Sequence, residues 1–340
     1  MNNINKQVKD FHSNLTINEY ITSYNLARHC DVVFAEELTP SQFNELEVDK
    51  TNLEIIKKDN DRVLYRTKKF DLNENDIIFC KTDLLPDLFS ILYNQFGFRN
   101  IKLITHQAAT PSINEILFKL KPKIISKWYS INVEFRHKDL IPIPLGIANE
   151  YAISNIRPSD FIEFFNKNKN INDYKKEEKI YINFNTNTNI QKRKKILEQF
   201  LLRKDTNHKT NLSIDEFIND IFTHKFILSP QGKGIDTHRF WEAIYLGSIP
   251  IIEENLTFGE YLKFCISYSE SEANDIDINK EIESFNLDFQ SLTKLLTVSY
   301  LIDKIKELKI NDEFSKELNY GLKEKIVKKF LVKKFKSQII

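Results

Sequence analysis

The segment KFILSPQGKGIDTHRFWEAIYLGSIPIIEE, residues 225–254, sets out a strand, a glycine loop, a helix and a second strand in that order. The apolar run 226–228 predicts the first strand, and residues 231–234 form a loop with two glycines. Gly247 predicts the end of the helix, and residues 249–252 predict the next strand. The segment therefore predicts one β-α-β unit of an α/β protein.

The beginning of this helix concentrates groups that bind anions. Main-chain N–H groups of a glycine loop and of a helix N-terminus together form an anion site. Lys233, His238 and Arg239 add side-chain donors at the same end. Glu242 lies one turn after His238 and can accept from sugar hydroxyls. The alternatives are a structural salt bridge for Arg239 and a solvated helix position for Glu242, within an ordinary β-α-β unit.

The order of these residues resembles the donor-binding core of exostosin-like glycosyltransferases of the GT-B type. The residues that carry the resemblance are Phe226, Leu228, Pro230, Gly232, Arg239, Trp241, Glu242, Ala243, Gly247, Ile249, Pro250 and Ile252. A weaker similarity lies upstream, where K-W-x-x-x-N at 127–132 precedes I-P-L-G-I at 143–147. The two similarities occur in the order that is typical of these enzymes.

The resemblance implies an α/β, GT-B-like fold with two Rossmann-like domains facing a central cleft and a helical C-terminal tail. It implies an inverting hexosyl- or related sugar transferase, which moves a sugar from a nucleotide-sugar donor to a hydroxyl of a glycan or lipid-linked glycan, in surface polysaccharide synthesis. Arg239 would stabilise charge on the leaving phosphate, and Glu242 would hold the ribose hydroxyls. The residues expected to bind the donor are Ser229, Gly232, Lys233, Gly234, His238, Arg239, Glu242 and Arg193.

The rest of the chain alternates apolar runs with amphipathic stretches, which predicts parallel sheets covered on both faces. We predict an acceptor-side domain at 1–150, a polar linker at 151–178, a donor-binding domain at 179–300 and terminal helices at 301–340. An inverting transfer needs a general base. The candidates are Asp83 and His106, which each follow a predicted strand, and then Glu134, with His137 nearby.

Metal and other cofactors are not expected. Asp275 and Asp277 match the letters of a D-x-D motif but have no strand before them, so a metal-independent mechanism is favoured. The net charge of +1 gives no pull toward nucleic acid. Three scattered cysteines and a polar N-terminus predict a cytoplasmic protein. The basic tail 323–340 could touch an anionic membrane surface, although packing as a terminal helix is preferred.

Two other functions remain open at this point. One is another phosphate-ligand enzyme on a doubly wound sheet, such as a kinase, although the sequence has no G-x-x-x-x-G-K-[ST] loop. The other is a non-catalytic module that keeps the nucleotide pocket and lacks the base. Nucleic-acid binding is disfavoured by the near-neutral charge.

Overall fold

The computed structural model describes residues 4–95, 100–168, 175–269, 285 and 287–307 of the 340-residue chain. Its contacts separate two compact units. Unit 1 comprises Met1–Asn25 and Leu145–Asp303, and unit 2 comprises Leu26–Pro144 and Lys304–Ile340. Each unit therefore draws on two stretches of chain.

Strands and helices alternate along the described residues, which confirms the predicted α/β class. The strands are β1 (Val32–Leu38), β2 (Leu53–Lys58), β3 (Val63–Thr67), β4 (Ile77–Lys81), β5 (Ile101–His106), β6 (Ile125–Ser130), β7 (Leu140–Pro142), β8 (Glu177–Ile182), β9 (Thr206–His208), β10 (His224–Leu228), β11 (Ile249–Glu253) and β12 (Ile266–Tyr268). The helices are α1 (Ile4–Asn14), α2 (Ser23–Ala27), α3 (Pro40–Glu45), α4 (Leu85–Leu92), α5 (Glu115–Lys119), α6 (Pro158–Lys167), α7 (Ile190–Leu201), α8 (Ile214–Thr223), α9 (His238–Tyr245), α10 (Phe289–Thr293) and α11 (Val298–Glu307).

Unit 2 contains a seven-stranded sheet in the order β2-β3-β1-β4-β5-β6-β7. The strands β1 and β4 to β7 run parallel, whereas β2 and β3 form an antiparallel edge. The chain leaves β1 on one side and returns on its other side as β4. Ligands of open α/β sheets bind at the carboxyl ends of the strands beside such a reversal.

Unit 1 contains a five-stranded sheet in the order β9-β8-β10-β11-β12, and every pair is parallel. Successive residues of β10 enter different cores, since Ile227 joins one buried cluster while Phe226 and Leu228 join the other. Burial on both faces explains why the strand reads as an unbroken apolar run. The reversal of strand order in this sheet lies between β8 and β10.

The first residues of the chain complete the core of unit 1. Helix α1 packs against α6 and α10. The His12 ring stacks on Phe165 with centroids 4.4 Å apart, and its Nε2 lies 2.9 Å from the main-chain oxygen of Tyr245. The Nδ1 atom lies 2.7 Å from the Tyr20 hydroxyl, which donates to it. Both ring nitrogens of this buried histidine are therefore satisfied.

Among the elements that the sequence did not predict, three have identifiable reasons. Strand β2 has a mostly exposed edge position and β9 has three residues, so neither shows a strong apolar pattern. Helix α1 is polar on average and contributes few apolar residues. The predicted domain limits at 150, 178 and 300 stay a prediction; helix α6 occupies part of the predicted linker. The predicted tail beyond residue 307 lies outside the described residues.

Candidate functional site

The glycine loop follows β10 at the point where the strand order of unit 1 reverses. Residues after β8 stand on the other side of the same point. Helix α9 begins at His238, directly after the loop, as the sequence predicts. The loop and the start of α9 therefore occupy the position where open α/β sheets bind ligands.

Arg239 is held in place by two side chains and keeps one end of its guanidinium unpaired. Its Nε donates to a carboxylate oxygen of Glu242 at 3.1 Å, and its Cζ lies 4.0 Å from the centre of the Phe217 ring. The Nη1 atom is buried and has no hydrogen-bond partner among the described residues. A buried donor without an acceptor costs free energy, so this end of the guanidinium is prepared for an anion.

The pKa of Arg239 reflects the same surroundings. Burial lowers the pKa of the guanidinium, and the negative charge of Glu242 opposes this effect. Glu242 is 1% exposed, so its partner is Arg239 and the predicted alternative of a solvated helix position is wrong. The carboxylate fixes the orientation of the arginine. Its predicted contact with ribose hydroxyls stays a prediction.

The N-terminus of α9 also lacks a side-chain cap. Thr237 occupies the N-cap position, yet its side chain makes no capping bond. Its hydroxyl oxygen is buried without a partner among the residues that the structure describes. The partial positive charge of the first helical turn favours an anion here.

Arg193 has different partners from Arg239, although the sequence predicts both as phosphate ligands. Its Nη1 donates to the main-chain oxygen of Asn185 at 2.8 Å. Its Nη2 and Nε donate to the main-chain oxygens of Pro230 and Gln231, each at 3.0 Å. Burial lowers the pKa of Arg193 to about 10, and the charge of Arg239 acts in the same direction. Arg193 therefore binds the glycine loop.

The glycine loop takes its conformation without left-handed residues. Positive φ angles occur among the described glycines at Gly146, Gly247 and Gly259, and not at Gly232 or Gly234. Gly232 has a different constraint, because a Cβ there would lie 3.0 Å from Nη2 of Arg193, which would have to shift by a few tenths of an ångström. The constraint at this glycine is therefore close approach of the guanidinium and not backbone strain.

Three more predicted donor-binding residues have distinct surroundings. The Ser229 hydroxyl is buried and donates to the main-chain oxygen of Ile227 at 3.2 Å. Lys233 is exposed. His238 Nδ1 lies 2.8 Å from the main-chain oxygen of Gly146, so this nitrogen carries the proton. The neutral His238 ring then offers an Nε2 lone pair, which suits a hydroxyl better than a phosphate.

The I-P-L-G-I segment contacts the start of α9 through Asp236. This carboxylate is 4% exposed and accepts from the main-chain N–H of Leu145 at 2.8 Å. It also accepts from the Trp241 indole at 2.8 Å. Burial raises the pKa of Asp236 to about 7, and these hydrogen bonds oppose the shift. Leu145 of the I-P-L-G-I segment therefore contacts the donor-like segment at a residue 91 positions later in the chain, within unit 1.

Asp83 is the base candidate with the most suitable geometry. It lies in a 3₁₀ turn, Thr82–Leu84, directly after β4 and beside the reversal of strand order in unit 2. One carboxylate oxygen accepts from the ammonium group of Lys81. The other oxygen is buried and has no partner within the described part of the chain. This oxygen could accept a proton from a hydroxyl.

The other base candidates are less suitable. His106 donates from Nε2 to the main-chain oxygen of Pro144 at 3.1 Å, and its Nδ1 accepts from the N–H of Gln107 at 2.8 Å. The Nδ1 lone pair of His106 therefore already accepts a hydrogen bond. Glu134 is exposed and accepts from the Ser112 hydroxyl. His137 accepts at Nδ1 from a main-chain N–H. The role of general base stays a prediction for all four residues.

The described residues offer neither a metal site nor a membrane-spanning helix. In the described ranges, no group of three His, Cys, Asp or Glu side chains could hold a metal ion. Asp275 and Asp277 lie outside the described residues. Every described helix is too short or too polar to cross a membrane.

Sequence reasoning missed Phe217, which lies on α8 before the loop and stacks on Arg239, and no motif marks this residue. The Asn-rich stretch after β8 offers Asn189 as a contact of donor or acceptor, and in the structure Asn189 donates to the Gly232 main-chain oxygen at 3.1 Å. The one available signal was the basic start of α7, where Lys192 and Arg193 stand together.

Comparison with known families agrees with this location. The family model described as the RXYLT1 C-terminal domain matches residues 168–284, about a third of the chain. The matched stretch contains the glycine loop, α9 and the start of α7. This domain comes from a xylosyltransferase family, so the match supports a glycosyltransferase relationship and not an exostosin-like one in particular. No curated protein matches the chain.

Proposed function

We propose that this protein is a glycosyltransferase that moves a sugar from a nucleoside-diphosphate donor to a hydroxyl of a glycan or lipid-linked glycan. The observation that carries the proposal is the buried, unpaired Nη1 of Arg239 at the uncapped start of α9. The similarity of residues 168–284 to a glycosyltransferase domain supports the same reading. The GT-B arrangement and the inverting course belong to this proposal.

Each protein group at the site has a separate role in the proposed reaction. The bond between the anomeric carbon and the β-phosphate oxygen breaks, and a bond from that carbon to the acceptor oxygen forms. The leaving nucleoside diphosphate gains negative charge, which Arg239 and the N–H groups of α9 stabilise. The acceptor hydroxyl loses its proton to a general base, for which Asp83 is our candidate. Glu242 and Phe217 hold the arginine in position.

Binding experiments with Arg239→Lys test the proposal. Lysine keeps a positive charge but loses the planar fork, so affinity for a nucleoside diphosphate should fall about 10-fold or more. Titration calorimetry on the intact protein measures this loss. Arg203→Lys is the matched control, because Arg203 pairs with Asp205 on the same unit and contacts no part of the glycine loop in the described residues.

The set of ligands that stabilise the protein decides between the proposed functions. We expect thermal stabilisation by nucleoside diphosphates and much less by the corresponding nucleosides. Absence of stabilisation by any member of a nucleotide and nucleotide-sugar panel would refute donor binding. Binding without sugar transfer to any acceptor would instead favour the non-catalytic module.

A further inference from the structure

Three consecutive main-chain oxygens of the glycine loop point at the first turn of α7. Arg193 donates to the oxygens of Pro230 and Gln231, each at 3.0 Å. Asn189 donates to the oxygen of Gly232 at 3.1 Å. All three loop carbonyls therefore face one helix turn.

Because the peptide bond is planar, the directions of the three loop carbonyls determine where the N–H groups of the following residues point. In a trans peptide, the C=O of one residue and the N–H of the next point to opposite sides. The N–H groups of Gln231, Gly232 and Lys233 must therefore point away from α7. That of Gly232 donates to the main-chain oxygen of Gly234 at 3.1 Å. The N–H groups of Gln231 and Lys233 remain and meet no acceptor in the part of the chain that the structure describes.

The side chain of Gln231 is fixed to the same helix turn. Its amide oxygen accepts from the ammonium group of Lys192 at 2.7 Å. Lys192 also pairs with Glu253 at the end of β11, at 3.0 Å. The loop is thus tied to α7 by side-chain and main-chain bonds together.

Arg193 is better placed to hold the loop than to bind a phosphate. All three of its nitrogens donate to main-chain oxygens, and the residue is 8% exposed. Its guanidinium also lies over the Phe184 ring, 5.2 Å from the centre. Gly232 permits this approach, since a Cβ there would lie 3.0 Å from the guanidinium.

We propose that Asn189, Lys192 and Arg193 form a positioning clamp that presents the N–H groups of Gln231 and Lys233 to the diphosphate of the donor. Two main-chain N–H groups directed to one side can donate to the same anion. The identity of the anion rests on the proposed function. The clamp residues orient the loop and do not touch the ligand.

Two substitutions test the clamp in the intact protein. Arg193→Lys keeps the charge but cannot reach three carbonyls, so affinity for inorganic pyrophosphate and for a nucleoside diphosphate should fall about 10-fold. Asn189→Ala removes no charge and should weaken both ligands about 3-fold, through loss of one hydrogen bond. Hydrogen exchange of the amides at 231–234 should accelerate in both variants. Lys194→Gln, on the exposed part of the same helix, should change neither measurement.

The two readouts separate the clamp from a direct phosphate contact. Wild-type affinity in Arg193→Lys would overturn the clamp. So would weakened affinity with unchanged amide exchange, because that combination is expected of a direct ligand. If the wild-type protein binds neither anion, the proposed donor site fails, while faster exchange in both variants still supports the clamp and unchanged exchange still refutes it.

Discussion

Arg239 and Arg193 show how surroundings decide the partners of a side chain. The sequence predicts that both bind phosphate, and both are largely buried in unit 1. Arg193 has main-chain oxygens for all three nitrogens, whereas Arg239 has a carboxylate at one nitrogen and an unpaired Nη1. The same side chain is therefore fully paired with the main chain in one case and leaves one nitrogen available for an anion in the other.

Asp83 provides a prediction at the scale of one residue. Asp83→Asn removes the proton acceptor, so kcat should fall about 100-fold or more while affinity for the donor is retained. Asp87→Asn is the matched control, since Asp87 lies one turn later and pairs with Arg66. Comparable kcat values in wild type and Asp83→Asn would assign the base to Glu134 or to another residue.

His12 provides a prediction about acid stability. Burial lowers the pKa of His12 to about 4, below its ordinary value of 6.5. The folded state thus binds fewer protons than the unfolded state, and stability from this residue is lost as the pH falls from 6.5 to 4. The stability advantage of wild type over His12→Gln should shrink by about 3 kcal/mol between pH 7 and pH 4.

Denaturant unfolding at several pH values measures this difference. The raised pKa of Asp236 has the opposite effect, because it gives stability that is lost as the pH rises from 3.8 to about 7. This contribution is the same in wild type and variant, so it cancels in the difference between their free energies of unfolding. His29→Gln is the control, because His29 is exposed. A pH-independent difference between wild type and His12→Gln would contradict the prediction.

At the scale of elements, the first turn of α7 and the glycine loop form one structural feature. The sequence predicted the strand before the loop and the helix after it, because each has its own local pattern. It did not predict the contact with α7, because Arg193 and the loop lie 37 or more residues apart in the chain. Contacts of this range depend on the order of β8 and β10 in the sheet.

Substitution by alanine should have different effects at Gly146 and at Gly232. Gly146 has a φ of +69°, and a Cβ there would lie 2.0 Å from the main-chain oxygen of Ile21. Gly146→Ala should therefore cost the backbone strain of about 1–3 kcal/mol together with the clash. Gly232→Ala has no positive φ to maintain, so it should retain stability and lose anion affinity instead.

Thermal unfolding and ligand titration of both variants check this contrast. The stability of Gly146→Ala should fall well below that of Gly232→Ala. Equal melting temperatures for the two variants would show that the contact with Ile21 is not a constraint on the fold.

At the scale of the whole molecule, unit 1 is assembled from two separate stretches of chain, Met1–Asn25 and Leu145–Asp303. Val8 of helix α1 and Tyr20 belong to a buried core whose other members come from residues after 145. The Tyr245 hydroxyl accepts from the main-chain N–H of Ile21 at 3.0 Å and donates to the main-chain oxygen of Leu296 at 2.7 Å. A donor-binding domain limited to residues 179–300 would lack these contacts.

Complementation of fragments tests this organisation. A fragment of residues 145–307 should unfold at lower denaturant concentration than unit 1 in the intact chain, because the surface covered by α1 is exposed. Addition of a peptide of residues 1–25 should restore part of the stability in a concentration-dependent way. A peptide with His12→Asp is the control. Full stability of the fragment alone would show that α1 is dispensable.

The sequence by itself determined the α/β class, the strand, loop and helix of residues 225–254, and the concentration of anion-binding groups there. These features depend on local periodicity and on residue type, which a single stretch of chain displays. Tertiary structure decided which arginine keeps an unpaired nitrogen, why Gly232 is glycine and which segment completes unit 1. Arg193 meets a loop oxygen 37 residues away and His12 meets an oxygen 233 residues away, and packing alone brings such partners into contact.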